Sequence, residues 1–300
     1  MIFLCYHGVT NSKSKGIENF SGKHIQKKIF ENQMKILKKK CKILSIDEVI
    51  YHLNKKKPFE KDSVAISFDD GFKNNFTVAV PILKKLKIPS IFYLCPGLIE
   101  NYSSEMFWVD KIEACISNSR INFLKFNFKK YKFSMKVKTN YQKIIAIKKL
   151  KKLCKSINVN NKNEIIEKII SNTKINPLNI KCKNYEIASW NLIKKSILGN
   201  KLFTIGGHSM FHDILTKINK KHVSNDIRNV ISLIKKRTKI KVKHFSYPEG
   251  KQNKNIINIL KKNKILSSPL AYGFKNSNKT NPFHINRVMV GFEKNRFPYK

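Results

Sequence analysis

Short apolar runs weighted toward β-branched residues recur along this chain, and each is followed by a stretch whose apolar residues fall at helical spacing. MIFLCYHGV opens as a buried strand ending at Tyr6-His7-Gly8. Residues 24–39 place Ile25, Ile29, Phe30, Met34 and Leu37 on one helical face. In 45–53, Ser45 followed three positions later by Glu48 makes a capping-box pattern at a helix start. SVAISF at 63–68 reads as a second strand, 75–86 as a helix in spite of Pro81, and IPSIFYLCPG at 88–97 as a third strand. This strand–helix order specifies a parallel sheet with helices packed outside it.

The middle breaks the rhythm. Residues 121–128 and 131–137 alternate apolar and polar around Lys129-Lys130, as in a hairpin, and 141–157 and 162–172 have the spacing of lysine-rich amphipathic helices. They are read as an α+β insertion, at about residues 110–185, in a single domain spanning 1–300. Strand–helix order then resumes with 202–209, a helix near 219–237, 243–250, a helix over 252–263 and a closing strand over 285–292.

Chemistry gathers where these strands end. SFDDGF (67–72) sets Asp69 beside Asp70 in a chain with only 19 acidic residues against 61 basic ones. Successive side chains of a strand face opposite ways, but at a strand end Gly71 lets the chain turn, so both carboxylates can enter one cleft. Ligands of α/β folds collect at such carboxyl ends. The plainer role for either Asp is to cap the following helix. HSMFH (208–212) follows LFTIGG, again at a strand end, and His208 and His212, four apart, share a face if the segment is helical. Two imidazoles and a carboxylate with one open position is the donor set of a catalytic zinc site.

The net charge of +42 does not by itself indicate a nucleic-acid binder. The basic residues are nearly all lysine and scatter among Asn and Ile, without arginine clusters and interleaved aromatics. No specific nucleic-acid partner is expected. Loose attraction to anionic lipid headgroups or glycans follows from charge alone, and a non-catalytic polyanion-binding protein is the alternative from another class. Cys5, Cys41, Cys95, Cys115, Cys154 and Cys182 lack zinc-finger or CxxC spacing, as expected of a reducing compartment. The N-terminal residues lack the pattern of a signal peptide, and no run reaches the roughly 18 apolar residues of a membrane span. The expected location is the cytoplasm.

SFDDGF, GGHSMFH and FSYPEG, in that order, resemble the first three motifs of the polysaccharide deacetylase family, carbohydrate esterase family four, whose members share a NodB-like homology domain. FWVDKI at 107–112 and ASWNLIKK at 188–195 resemble its flanking segments. The resemblance implies a distorted (β/α)7-type barrel and a metal-dependent hydrolase that removes acetyl from an N-acetylated carbohydrate. An O-acyl ester or a non-sugar amide is the alternative substrate for the same site. The resemblance also implies roles: Asp69 as catalytic base, and Asp70, His208 and His212 as ligands of a divalent metal, most often zinc. Tyr247 would donate its N–H to the oxyanion from the third motif, beside Pro248 against the substrate, and Arg287 would orient the catalytic Asp. The family's late histidine has no good copy here, His284 being a poor match, and LCYHG resembles a branch carrying that motif at the N-terminus. His7 is therefore the expected general acid. Trp108 and Trp190 are candidate sugar-stacking faces, with a place in the core as the alternative for each, whereas His24, His52, His222 and His244 are expected to be structural or solvated.

Overall fold

The computed structural model describes residues 1–129, 131–291 and 297–299. Its strands are β1 (Ile2–Tyr6), β2 (Gly8–Thr10), β3 (His24–Gln26), β4 (Lys42–Leu44), β5 (Ser63–Phe68), β6 (Ser90–Leu94), β7 (Phe123–Phe128), β8 (Tyr131–Lys136), β9 (Phe203–Gly207) and β10 (Val288–Met289). The α-helices are α1 (Lys27–Lys40), α2 (Ile46–Asn54), α3 (Val80–Leu86), α4 (Pro96–Glu100), α5 (Trp108–Asn118), α6 (Asn140–Ser156), α7 (Val159–Thr173), α8 (Trp190–Ile197), α9 (Lys220–Thr238) and α10 (Lys254–Lys262).

The main sheet runs β10-β1-β5-β6-β9, all parallel, with β4 also on β5. β5 divides its pairing: Ser63–Ala65 take β4, and Ser67 and Phe68 take β6. Between β9 and β10 the regular ladder lapses, and single bridges span the interval: Gly207 to Phe245, His244 to Ser267, and Pro269 to Ile285. The expected barrel is thus distorted enough that its ladder does not close.

β1, β5 and β6 are buried along their whole length, so they read as continuous apolar runs. Alternation still sorts their side chains. Leu4, Tyr6, Ile66, Phe68, Phe92 and Leu94 share one core with α1, where Phe68 stacks on Phe92 at 5.0 Å and on Tyr6 at 5.5 Å. Phe3, Ala65, Ile91 and Tyr93 share another with Val49, Ile50 and Leu53 of α2. The expected capping box starts α2, with Ser45 and Glu48 bonded reciprocally. The inserted elements make their own core: the hairpin β7–β8 pairs from Phe123↔Lys136 to Phe128↔Tyr131, and with α6 and α7 it packs on α5.

Several expectations shift. His24 and Ile25 belong to β3, and Ile29 is 48% exposed. Pro81 is accommodated because Asn75–Ala79 form a wide π-type turn and Pro81 falls in the first turn of α3, where no helical N–H is needed. The third strand ends at Leu94, since Pro96 starts α4. The 243–250 segment keeps only bridging residues before a tight 3-10 turn at Pro248–Gly250. The closing strand is reduced to β10; its last expected residue, Phe292, and Lys130 of the hairpin turn lie outside the described residues. His24 and His244 are both buried, and His244 bonds Ser267 Oγ at 2.8 Å.

Gly8 admits the buried His24 ring: a Cβ there would stand 1.8 Å from His24 Nδ1. Gly8→Ala should lower the unfolding free energy by about 1–3 kcal/mol through overpacking, read as a lower urea midpoint. An unchanged midpoint would mean that the β2–β3 corner yields freely.

Candidate active site

Asp69 and Asp70 follow β5 directly. Asp69 N–H donates to Tyr6 O at 2.9 Å, which keeps the strand in register one residue past the ladder. The chain then turns through two left-handed residues, Asp70 (φ 78°) and Gly71 (φ 97°). That turn is what brings adjacent carboxylates into one space, and at Asp70 a non-glycine residue holds a conformation of the kind kept at functional sites.

His208 follows β9, where its N–H donates to Leu94 O at 2.9 Å. The segment 208–212 is a loop, so a shared helical face is not what joins the two histidines; Ser209 and His212 are both left-handed, with φ of 57° each. The loop still converges the rings. His208 Nε2 lies 3.6 Å and His212 Nε2 3.4 Å from Asp70 Oδ1. Tetrahedral donors about 2.0–2.1 Å from a zinc ion stand about 3.3 Å apart. His208 Nδ1 is 2.8 Å from the Ser246 carbonyl, so this nitrogen carries the hydrogen and Nε2 presents its lone pair to the centre. Asp70 Oδ1 is buried with no hydrogen-bond partner among the described residues. Burial lowers the proton affinity of both imidazoles and raises that of Asp70. Two neutral nitrogens and an orphaned oxygen fit a divalent cation.

Asp69 is treated differently. Arg287 donates from Nη1 to Oδ1 and from Nη2 to Oδ2, both at 2.7 Å. Burial alone would raise Asp69, but the guanidinium outweighs it and holds the carboxyl well below the usual range. Arg287 also donates to Ser67 Oγ, Ser246 Oγ and Leu270 O, at 3.1, 2.9 and 2.7 Å. A second close group, Cys5, His7 and Asp69, also has potential donor atoms within 4.8 Å of one another. Both Asp69 oxygens already face the guanidinium, so the Asp70 group is the better cation site.

His7 reaches this centre from the end of β1, and burial lowers it to about 3 although Asp69 pulls the other way. With Asp69, Asp70, His208, His212 and Tyr247 it lines a cleft of about 630 Å³. The Tyr247 phenol points away, donating to Phe283 O at 3.3 Å. Pro248 is buried at the adjoining turn, and its neighbour Glu249 reaches the cleft. Trp108 is not a cleft face: it is 5% exposed in the core of the insertion, and its Nε1–H donates to His212 O at 3.4 Å. As a helix-start residue on α5 it braces the histidine loop from behind. Trp190 is likewise buried, bonded to Glu100 at 2.7 Å. His284 is half-buried against Gln252 and is not among the cleft residues. Ser246, which joins Arg287 to His208, was not singled out in the sequence; its one signal is its place inside FSYPEG.

The fold and this site define a parallel α/β barrel protein with a two-histidine, one-carboxylate centre beside an arginine-held aspartate. The polysaccharide deacetylase family model matches residues 56–117 and 160–266, more than half of the chain, and the chain belongs to that family. Over 94 residues it is 42% identical to the poly-β-1,6-N-acetyl-D-glucosamine N-deacetylase of Staphylococcus aureus, a segment spanning 30% of this chain and 31% of that relative. IcaB from Ammonifex degensii shares the fold, with TM-score 0.61 and 17% identity over 96% of this chain and 91% of that one. Streptococcus pyogenes deacetylase PplD, solved with acetate, does so with TM-score 0.62 and 14% identity over 97% and 92%.

Arg287→Met leaves the Asp69 charge buried and unpaired, and should cost about 3–5 kcal/mol. Adding Asp69→Asn should recover roughly half of that, since no buried charge then lacks a partner. Denaturant midpoints of the two variants check this, and equal midpoints would contradict it.

Proposed function

We propose that this protein is a divalent-metal-dependent hydrolase that removes acetyl from an N-acetylated sugar. What carries the reading is the division of labour between neighbours: Asp70 joins His208 and His212 in a cation cage, while Arg287 engages both oxygens of Asp69 and holds it ionised at the edge of the cage, with Oδ2 3.7 Å from His208 Nε2, in the same cleft. A zinc ion in the cage would polarise the acyl oxygen and acidify water. Asp69 takes the proton of the attacking water, and its two bonds to Arg287 fix its direction. His7, neutral at rest, gains a proton by way of Asp69 and gives it to the leaving amine. The Tyr247 N–H is the main-chain donor assigned to the developing oxyanion.

The name of the Staphylococcus aureus relative supports N-acetylglucosamine units as the first substrates to try. All six cysteines are unpaired, which favours a reducing compartment such as the cytoplasm. No helix among the described residues is long and apolar enough to cross a membrane. In the cytoplasm the substrate is a glycan precursor or glycoconjugate; recovery of the protein from a cell-surface fraction would overturn that placement. Contact with an anionic membrane would be loose, through scattered lysines.

Acetate release from N-acetylglucosamine derivatives, and from matched O-acetyl esters, tests the reaction on zinc-loaded protein. Amide turnover lost in Asp69→Asn by at least about a hundredfold is expected of a general base. Ester turnover alone would move the assignment to an O-acyl esterase, and metal binding without either turnover to a non-catalytic binding protein.

The ion has a proton signature. Burial raises the proton affinity of Asp70 and a bound cation favours its ionised form, so cation binding displaces whatever proton the ion-free carboxyl holds. Zinc titrations at several pH values, in buffers of different ionisation enthalpy, should show proton release that grows as pH falls and that is diminished in Asp70→Asn. Release that persists undiminished in this variant would place the proton elsewhere.

A further inference from the structure

One wall of the cleft comes from α6, which lies between the two stretches matched by the family model. Its Lys148, Lys151, Lys152 and Lys155 all line the cleft, at the i, i+3, i+4, i+7 spacing of a single helix face. α6 carries no acidic residue. Among the described residues, Glu113 stands 3.1 Å from Lys151 Nζ and Glu249 2.8 Å from Lys155 Nζ. The side chains of Lys148 and Lys152 are exposed to the cleft solvent. Lys23 adds a further ammonium group to the same space, held 2.5 Å from Asp110. Tyr272, 55% exposed, also lines the cleft, with its ring beside Gly250.

Such a wall is poorly suited to a neutral amino-sugar polymer. Deacetylation leaves an amine that protonates, and a polymer of such units would be repelled by a lysine stripe in a confined space, where charge acts most strongly. We propose that the substrate of this cleft is an acetamido sugar bearing a phosphate or diphosphate, with the anion read by the lysine face of α6 and the pyranose set against Tyr272. The proposal rests on the deacetylase reading and specifies its substrate class. A phosphorylated sugar gains from the stripe before reaction, and after it the anion offsets the new ammonium. The anion can belong to a soluble nucleotide-linked sugar or to a polyprenyl-linked one, because the stripe reads the phosphate alone.

Binding separates this proposal from turnover. The full chain, stripped of metal, is titrated by calorimetry with methyl N-acetylglucosaminide, N-acetylglucosamine 1-phosphate and a nucleoside-diphosphate-linked N-acetylglucosamine. A further arm carries the same sugar diphosphate on a polyprenyl chain in phosphatidylcholine vesicles, against vesicles without it. At least one phosphorylated ligand should bind about tenfold or more tighter than the neutral glycoside, with an advantage that shrinks as salt rises. Lys148→Gln with Lys152→Gln should remove about fivefold or more of that advantage and leave the neutral glycoside unchanged, whereas Lys235→Gln with Lys236→Gln, outside the cleft, should leave both as they were. Preference only in the vesicle arm assigns a lipid-carried substrate; preference in the soluble arms assigns a nucleotide-linked one. No phosphate preference in any arm, or one that survives the α6 substitutions, overturns the proposal. Phosphosugar binding without acetate release from the zinc-loaded protein would overturn the deacetylase reading instead.

Discussion

The ion pair between Arg287 and Asp69 is the interaction on which the site depends. It stands where the barrel is weakest, because the regular ladder lapses between β9 and β10. From that side Arg287 reaches the end of β5 through Ser67 and Asp69, the third-motif segment through Ser246, and the following loop through the Leu270 carbonyl. One buried side chain thus ties together segments that strand pairing leaves loosely joined. A buried pair of this kind adds little net stability over apolar packing, but it fixes geometry, because either charge alone would be costly.

That pair also explains how two adjacent carboxylates do different work. Asp69 and Asp70 are equally buried, so desolvation raises both. Arg287 reverses the effect at Asp69 alone, and the left-handed turn at Asp70 points the second carboxylate at the histidines. Environments that push the proton affinities of two like groups apart mark their separate roles. Ser246 couples the halves, since its hydroxyl accepts from Arg287 while its carbonyl fixes the His208 tautomer.

The insertion belongs to the site as much as to the scaffold. Its core is built on α5, whose first residue, Trp108, braces the carbonyl of His212. Lys162 on α7 pairs with Asp213 next to that histidine, and Lys155 on α6 pairs with Glu249 of the third motif. The added elements are therefore fastened to both loops that shape the cleft.

By itself the sequence determined the alternation of the main strands and helices, the strand-end position of Asp69, Asp70 and His208, and the family, because apolar periodicity and short motifs are local properties. Tyr6-His7-Gly8 and Arg287 were legible as site residues only through resemblance; nothing in their spacing says that the chain's two ends meet. Tertiary structure alone decided that His208 and His212 converge through a left-handed loop in place of a helix, that Trp108 is core, and that Ser246 joins the two carboxylate systems. It likewise decided that one lysine face of α6, among many lysine-rich stretches, overlooks the cleft. Periodicity specifies which face of a helix is apolar, but what the polar face looks onto depends on how distant segments pack, and no local pattern encodes that.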